Sequence, residues 1–341
     1  MEKITVLVVD DSVFMRNVIT DILNSDPEIE VVGQASDGIH ALKKIQEFNP
    51  QVITLDLEMP HMNGLETIQK LMQLAPHPTV IMVSAFTSEG AGVTLQCLEA
   101  GAVDFVLKPS GPRSLDMDKV KEKLIATVKS AALVNMQTFK KKSVHIEAST
   151  IPKNAHQQPG IIVIGSSTGG PVALERLLPL FPPEFSYPIL VAQHMPLEFI
   201  VSFVKRLEHL CHVPVRLAKD GEKIENGIIY IVPGNVNTQV RQDADDLAVF
   251  STTETDVILT PSIDLLMKSV VAIYKEATVG IILTGMGDDG AVGMQAIKEA
   301  GGRTLVQDEK SSTVFGMGRA VVERGFADLV VPLDEIVEHI I

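Results

Sequence analysis

Short β-branched runs alternate with helix-period segments from Ile4 to Lys108, and few architectures accept that rhythm. The runs are "ITVLVV", "IEVVGQA", "QVITLDL", "PTVIMVSA" and "AVDFVLKP". Between them lie "VFMRNVITDIL", "IHALKKIQEF", "LETIQKLM" and a helical stretch near Cys97. Five strands separated by helices predict a parallel sheet covered on both faces. A helix from Leu115 to about Phe139 is expected to close this unit. Ser114 is its expected N-cap, with Asp116 and Asp118 in the first turn, where the helix dipole favours acids.

The polar, aperiodic stretch "KKKSVHIEASTIPKNAHQQPG" follows and reads as a linker. Its Lys140-Lys141-Lys142 run reads as a solvated helix end rather than a binding patch. A second α/β alternation begins at Gly160, with strands at "GIIVIG", "YPILVAQ", "ATVGIILTG" and "RTLVQ". Its middle, from Val213 to about Ser251, is richer in turns and short strands and predicts a β-hairpin excursion. Ser262 is placed to cap a helix beginning near Ile263. The expected class is α/β throughout. A five-stranded parallel unit spans 1–125, a helix extension and linker 126–159, and a doubly wound unit with the hairpin excursion 160–341.

Charge narrows the function. The net charge is −14. Residues 1–159 carry 15 Lys and Arg against 19 Asp and Glu, and residues 160–341 carry 14 against 24. A DNA-binding half normally carries a basic patch that displaces phosphate counterions. The acidic second half therefore argues against a nucleic-acid partner. The start "MEKITVLVVDD" lacks a basic n-region and a small-residue cleavage site, so no signal peptide is expected. No apolar stretch reaches 18 residues, so no membrane insertion is expected. Cys97 and Cys211, one in each half, read as reduced thiols of a cytoplasmic protein.

Asp10 and Asp11 close the first predicted strand, Asp56 the third and Ser84 the fourth, and Lys108 follows the fifth. In a doubly wound sheet these carboxyl ends share the edge where such folds bind ligands. Three carboxylates gathered there repel one another unless a divalent cation sits among them. Oxygen ligands with few dedicated protein contacts suit Mg2+. A carboxylate beside that ion can attack a phosphoryl donor while Lys108 and the cation neutralise developing charge. The Ser84 hydroxyl can then report the new phosphate through a hydrogen bond. Singly, each Asp reads as a turn or cap residue. The set, with "DLEMPHMNG" after Asp56 and "LKPSG" around Lys108, does not.

With these residues, positions 1 to about 125 resemble a response-regulator receiver domain, which is flavodoxin-like. The resemblance implies that a histidine-kinase partner phosphorylates Asp56. It implies Mg2+ held by Asp11, Asp56 and the backbone carbonyl of Glu58, with Asp10 acting mostly through water. A receiver is a switch, so the activity rests with the other half.

There the stretch "IIVIGSSTGGPVAL" runs a strand into a glycine loop and then a helix. Gly165 and Gly170 satisfy the start of a phosphate-binding G-x-x-x-x-G loop. Such a loop then needs Lys and Ser/Thr, and here Pro171 and Val172 follow. The same residues fit G-x-S-x-G, a sharp turn that exposes a serine. A base and an acid occupy matching places. His194 follows the strand "ILVAQ", and Asp288 and Asp289 follow "VGIILTG". The imidazole can take the serine proton, and a carboxylate can fix its tautomer. Glycines 285, 287 and 290 are expected to leave amides free for a tetrahedral oxyanion. Spacing alone leaves Ser166 or Ser167, and Asp288 or Asp289, open; Asp289 also reads as a cap for the helix after Gly290. The order Ser…His…Asp differs from that of α/β-hydrolases. The cluster His209, Cys211 and His212 lacks a further ligand pair for zinc.

"GSSTGG", "QHMP" and "LTGMGDDGAVGM" together are similar to the catalytic domain of the chemotaxis protein-glutamate methylesterases, over residues 160–341. The resemblance implies Ser167 as nucleophile, His194 as general base and acid, Asp289 as orienting carboxylate and the Met286 backbone N–H at the oxyanion. It also makes the choices between neighbours that spacing leaves open. It implies a cytoplasmic, phosphorylation-activated hydrolase that demethylates glutamate methyl esters on methyl-accepting chemotaxis receptors and releases methanol. Deamidation of receptor glutamines is implied as well, with no cofactor at the esterase site and a chemotaxis histidine kinase as phosphodonor. Control is expected to be steric, with the receiver covering the cleft until Asp56 is phosphorylated. Two competing outcomes are a transcriptional regulator with a basic helix-turn-helix output, and a degenerate esterase domain used as a scaffold.

Overall fold

Strands buried on both faces organise the chain, which is described by a computed structural model. It describes residues 3–74, 76–84, 88–108, 117–134, 160–245, 247–254 and 260–341. The chain divides into two units, 1–136 and 137–341.

The first unit runs β1 (Ile4–Val9), α1 (Val13–Asn24), β2 (Ile29–Ala35), α2 (Gly38–Phe48), β3 (Val52–Asp56), α3 (Gly64–Leu71) and β4 (Thr79–Ser84). It continues through α4 (Ser88–Glu99), β5 (Asp104–Leu107) and α5 (Met117–Ala132). Every residue of β3 and β4 is buried, as expected for central strands with helices on both faces. The strand order is β2-β1-β3-β4-β5, and every pair is parallel. The order reverses between β1 and β3, so the carboxyl ends of these two strands flank the crevice where such sheets bind ligands. Local chemistry sets the helix starts. Ser12 caps α1, Asp37 caps α2, and Asn63 with Glu66 forms a reciprocal capping box on α3.

The last helix is shorter than its sequence predicts. It ends at Ala132, because Leu133 and Val134 turn back with amides bonded to the Ser130 and Ala131 carbonyls. Asp118 lies in its first turn. Ser114, Leu115, Asp116, Phe139, the Lys140–Lys142 run and the rest of the linker lie outside the described residues.

The second unit runs β6 (Ile161–Ser166), α6 (Gly170–Leu177), β7 (Ile189–Gln193), α7 (Leu197–Leu210), β8 (Val215–Leu217), β9 (Ile229–Ile231), β10 (Val236–Gln242) and β11 (Ala248–Glu254). Then come α8 (Ile263–Tyr274), β12 (Thr278–Ile282), α9 (Ala291–Glu299), β13 (Arg303–Gln307), α10 (Gly316–Glu323) and β14 (Leu329–Val331). Seven strands form one parallel sheet in the order β14-β13-β12-β6-β7-β9-β8. The hairpin excursion is narrower than the whole 213–251 stretch. Strands β8 and β9 join the main sheet in parallel, and β10 and β11 pair antiparallel. Tyr230 of β9 meets Phe250 of β11 with ring centroids 5.1 Å apart, which ties the hairpin to the core.

Helix α8 buries Ile263, Leu266, Met267, Val270 and Val271. Each such aliphatic side chain contributes roughly 1.5–3 kcal/mol by leaving water. The helix comes close to β6 because Gly165 has no side chain. A Cβ at Gly165 would lie 2.4 Å from Ile263 Cγ2. That close approach brings the first amides of α8 to the carboxyl edge of the sheet. Among the described residues no helix is long and apolar enough to cross a membrane.

Candidate active site

Ser167 follows β6 directly, at the point where the strand order reverses between β6 and β12. Its amide donates to the Thr284 carbonyl at 3.0 Å, and its own carbonyl accepts from Gly170 N at 2.8 Å. Gly169 then takes φ 76° and opens α6. This is the sharp strand-to-helix turn that the glycines predict. Ser167 itself is buried, with 6% of its surface exposed.

His194 follows β7, the neighbour of β6, and its amide donates to the Ser166 carbonyl at 3.1 Å. Its Nδ1 lies 3.2 Å from Ser167 Oγ, and its Nε2 lies 2.8 Å from Asp289 Oδ2. The three predicted groups are therefore in one hydrogen-bonded line. Ser166 and Asp288 are placed elsewhere. The Ser166 hydroxyl donates to Gln193 Oε1 at 2.6 Å, and Asp288 pairs with Arg324 at 2.6 Å.

Asp289 does not cap the helix that follows it. Gly290 occupies the N-cap of α9, while Asp289 turns to the start of α8. Its Oδ2 accepts the Ile263 N–H at 2.9 Å and its Oδ1 the Asp264 N–H at 2.9 Å. Burial pushes the Asp289 carboxyl up. The His194 hydrogen bond and charge, with the Asp264 and Ile263 amides, outweigh that and hold it below the usual carboxylate range. An ionised Asp289 is thus secured by an imidazole and a helix N-terminus.

Of the three glycine amides expected to be free, that of Gly285 is committed. It donates to the Val314 carbonyl at 2.9 Å, while the Gly290 amide lies by the Asp264 carboxylate and favours its charge. Gly287 is exposed with φ 85°, and Met286 is half-buried between Gly285 and Gly287.

Several supporting residues escaped the sequence reading. Gln193, 1% exposed, donates through Nε2 to the Ser167 carbonyl at 3.0 Å and the His194 carbonyl at 3.2 Å, tying the two turns together. Thr284 Oγ1 donates to the Thr168 carbonyl at 2.9 Å and accepts the Val314 N–H at 2.9 Å. Gln193 adjoins His194 in sequence, which is a usable signal. Thr284 carries none, since nothing in the sequence marks the loop at Val314 as its neighbour.

In the first unit, Asp10, Asp11 and Asp56 place ligand oxygens within 4.8 Å of one another. Lys108 Nζ lies 2.8 Å from Asp10 and 2.7 Å from Asp56. Asp56 Oδ2 is buried without a hydrogen-bond partner. Burial pushes the Asp56 carboxyl up to about 6 against the pull of Lys108. Burial pulls Lys108 down, and its two carboxylate partners raise it further. Three carboxylates against one ammonium, with an orphaned oxygen, fit a small divalent cation such as Mg2+. Asp11 and Glu58 line the same open cleft of about 670 Å³, with Met59 and Asn63.

Ser84 is fully buried, with Thr94 Oγ1 of α4 3.1 Å from its Oγ. Arg16 clamps the β1–α1 loop, donating to the Asp10 and Asp11 carbonyls at 2.7 and 3.0 Å. Neither Thr94 nor Arg16 stands out in the sequence, because each lies on an ordinary helix. The zinc alternative finds no support. His209 Nδ1 contacts the Lys205 carbonyl at 2.6 Å, and among the described residues only the aspartate trio groups as metal ligands.

Residues 162–340 match the family model of the CheB methylesterase, and residues 6–118 that of the response regulator receiver domain. The chain belongs to the CheB methylesterase family. A protein-glutamate methylesterase/protein-glutamine glutaminase of Geobacillus kaustophilus is 43% identical over 345 residues, spanning 100% of this chain and 99% of that one. One of the same name from Bacillus subtilis is 41% identical over 349 residues, spanning 99% and 97%. The crystal structure of the Thermotoga maritima CheB methylesterase catalytic domain superposes with a TM-score of 0.52 at 37% identity, covering 54% of this chain and 97% of that chain. These matches support the methylesterase reading and not the transcriptional alternative.

Proposed function

We propose that Ser167, His194 and Asp289 carry out the hydrolysis expected of a chemotaxis protein-glutamate methylesterase and protein-glutamine glutaminase. The line Ser167 Oγ, His194 Nδ1, His194 Nε2, Asp289 Oδ2, with links of 3.2 and 2.8 Å, carries this reading. Ser167 Oγ attacks the γ-carbonyl carbon of a methylated glutamate as Nδ1 takes its proton. Asp289 stabilises the resulting imidazolium. The Met286 N–H is the proposed donor to the tetrahedral oxyanion. As the C–O bond to the leaving group breaks, the imidazolium returns the proton and methanol departs. Water then adds to the glutamyl-Ser167 ester by the same proton path and releases glutamate. A glutamine side chain follows the same course and releases ammonia.

The substrates are chemoreceptor glutamates and glutamines exposed on the cytoplasmic side, which places the enzyme in the cytoplasm. No cofactor takes part at this site. In the receiver, Asp56 is the phosphoryl acceptor from a chemotaxis histidine kinase. Asp11, Asp56 and the Glu58 carbonyl would hold Mg2+, with Asp10 acting through water. That ion supplies charge neutralisation for the incoming phosphoryl group. Lys108 holds the Asp56 carboxylate and balances its charge, and Ser84 reads the phosphorylated state. Phosphorylation of Asp56 raises turnover in the second unit.

Methanol release from a methylated receptor tests the reading. Wild-type protein with a small phosphodonor and Mg2+ should release methanol, and Ser167→Ala should reduce it by about 10⁴-fold or more. Retained release in Ser167→Ala would remove this serine from the mechanism. An inactive wild type would favour the scaffold alternative.

A further inference from the structure

Asp264 and Asp289 cap each other's helices. Asp289 precedes α9 but accepts the first two amides of α8, those of Ile263 and Asp264. Asp264, the second residue of α8, returns the exchange. Its Oδ1 accepts the Gly293 N–H at 2.6 Å. Both carboxylates thus sit at positive helix ends, each at the other's.

Helix α8 does not need Asp264 for its own start. Ser262 already caps it, with Oγ accepting the Leu265 N–H at 3.3 Å. Holding a second acid here is also costly. Asp264 is half-buried, and burial and the neighbouring Asp289 charge both push its carboxyl up, while the Gly293 amide pulls it down. What the arrangement gains is geometric. Asp289 Oδ2 must meet His194 and Ile263 at once, so the segment from Asp289 to Gly293 has to be fixed against α8. The Asp264 carboxylate makes that connection from the α8 side.

We propose that Asp264 is a positioning residue for the hydrolysis, gripping the start of α9 so that Asp289 stays in register with His194. The proposal rests on the Ser167–His194–Asp289 reading. Among the described residues no hydrogen bond or ion pair joins Asp264 to His194, and Asp264 acts through Asp289. Its loss frees the start of α9 and loosens the Asp289–His194 link, while the substrate-binding surface is unchanged.

The experiment compares the full-length wild type, Asp264→Ala, Asp264→Asn and Ser167→Ala, each with phosphodonor and Mg2+, in methanol release from a methylated receptor. The proton on His194 Nε2 is followed by NMR in the same samples, and thermal melts report the folded fraction. Asp264→Ala should lower kcat by about 10- to 100-fold with KM within about twofold, the scale of a misplaced catalytic group. The downfield Nε2 proton signal should weaken or move upfield. Asp264→Asn keeps one acceptor oxygen but sets an amide NH2 against backbone N–H, so its loss should be smaller, about 3- to 10-fold. If Asp264→Ala does not fold, Asp264→Asn decides by the same two readouts. Wild-type kcat per folded molecule with an unmoved His194 signal in the folded variant overturns the proposal. An active Ser167→Ala instead removes the triad reading beneath it, whatever Asp264 does.

Discussion

His194 presents Nε2, not Nδ1, to Asp289, at 2.8 Å. In the serine-protease template the acid meets Nδ1 and the serine meets Nε2. Here the ring is used the other way round, and the neutral tautomer must carry its proton on Nε2 to donate to the carboxylate. Nitrogen NMR of the folded enzyme with labelled histidine should therefore find His194 protonated at Nε2 and bare at Nδ1. A proton on Nδ1 in the neutral ring would mean that Ser167 has no acceptor.

Asp289 joins catalysis to folding, because one carboxylate serves both His194 and α8. Asp289→Asn should lower kcat by roughly 10³- to 10⁴-fold, as removal of the orienting anion does in such relays. Its effect on stability has a defined pH sign. The folded carboxyl is held below its ordinary value, so its stabilisation is present at neutral pH and is lost as pH falls through the folded value. The melting-temperature gap between wild type and Asp289→Asn should be widest near pH 7 and shrink below about pH 4. A gap independent of pH would detach the carboxylate from stability.

Gly165 decides how close α8 lies to β6. A Cβ there would fall 2.4 Å from Ile263 Cγ2 and 3.0 Å from Ile282 Cδ1. Gly165→Ala should destabilise the second unit by about 1–3 kcal/mol through overpacking, measured by urea unfolding. It should also lower kcat, because Ile263 N is a ligand of Asp289. Adding Ile263→Val, which removes a methyl group, should recover part of both losses. No recovery would place the strain elsewhere.

Asp56 carries an ionisation cost in the folded receiver. Its carboxyl is pushed up to about 6, so the folded receiver loses stability as pH rises from the ordinary carboxylate range toward that value. With a chelator present at pH 7.5, Asp56→Asn should therefore stabilise the receiver, on the order of 2–3 kcal/mol. The gain should vanish below about pH 4 and narrow when Mg2+ is added to the wild type. A destabilised Asp56→Asn receiver would show that the Lys108 contact outweighs burial.

The sheets and the placement of the candidate site residues were legible for one reason: each lies within a residue or two of an apolar run that ends at the carboxyl edge of its own sheet. Asp10, Asp56, Ser84, Ser167 and His194 all follow that rule. What was hidden depends on contacts between segments distant in sequence. The commitment of Gly285 N to Val314 could not be read from "LTGMGDDG", where every glycine looks equally available. Asp289 likewise appears to cap its own helix until α8 is placed beside it. Strands β8 and β9 resemble hairpin material in sequence, because three-residue strands carry too little pattern to reveal a parallel partner. The sequence overextends α5 because helix-period residues continue past Ala132, while the backbone turns at Leu133.

The way Asp289 is held has a bearing on product release. Among the described residues its partners are backbone amides, the Ser262 hydroxyl and an imidazole, not a lysine or an arginine. In the proposed reaction, demethylation turns a neutral ester into an anion near the Asp289 carboxylate, whose charge the helix amides stabilise but do not remove. The ester enters without electrostatic opposition, and the glutamate it becomes meets a like charge. Because the acid is held by dipoles and not by a mobile cation, its support offers the product no counter-charge of its own.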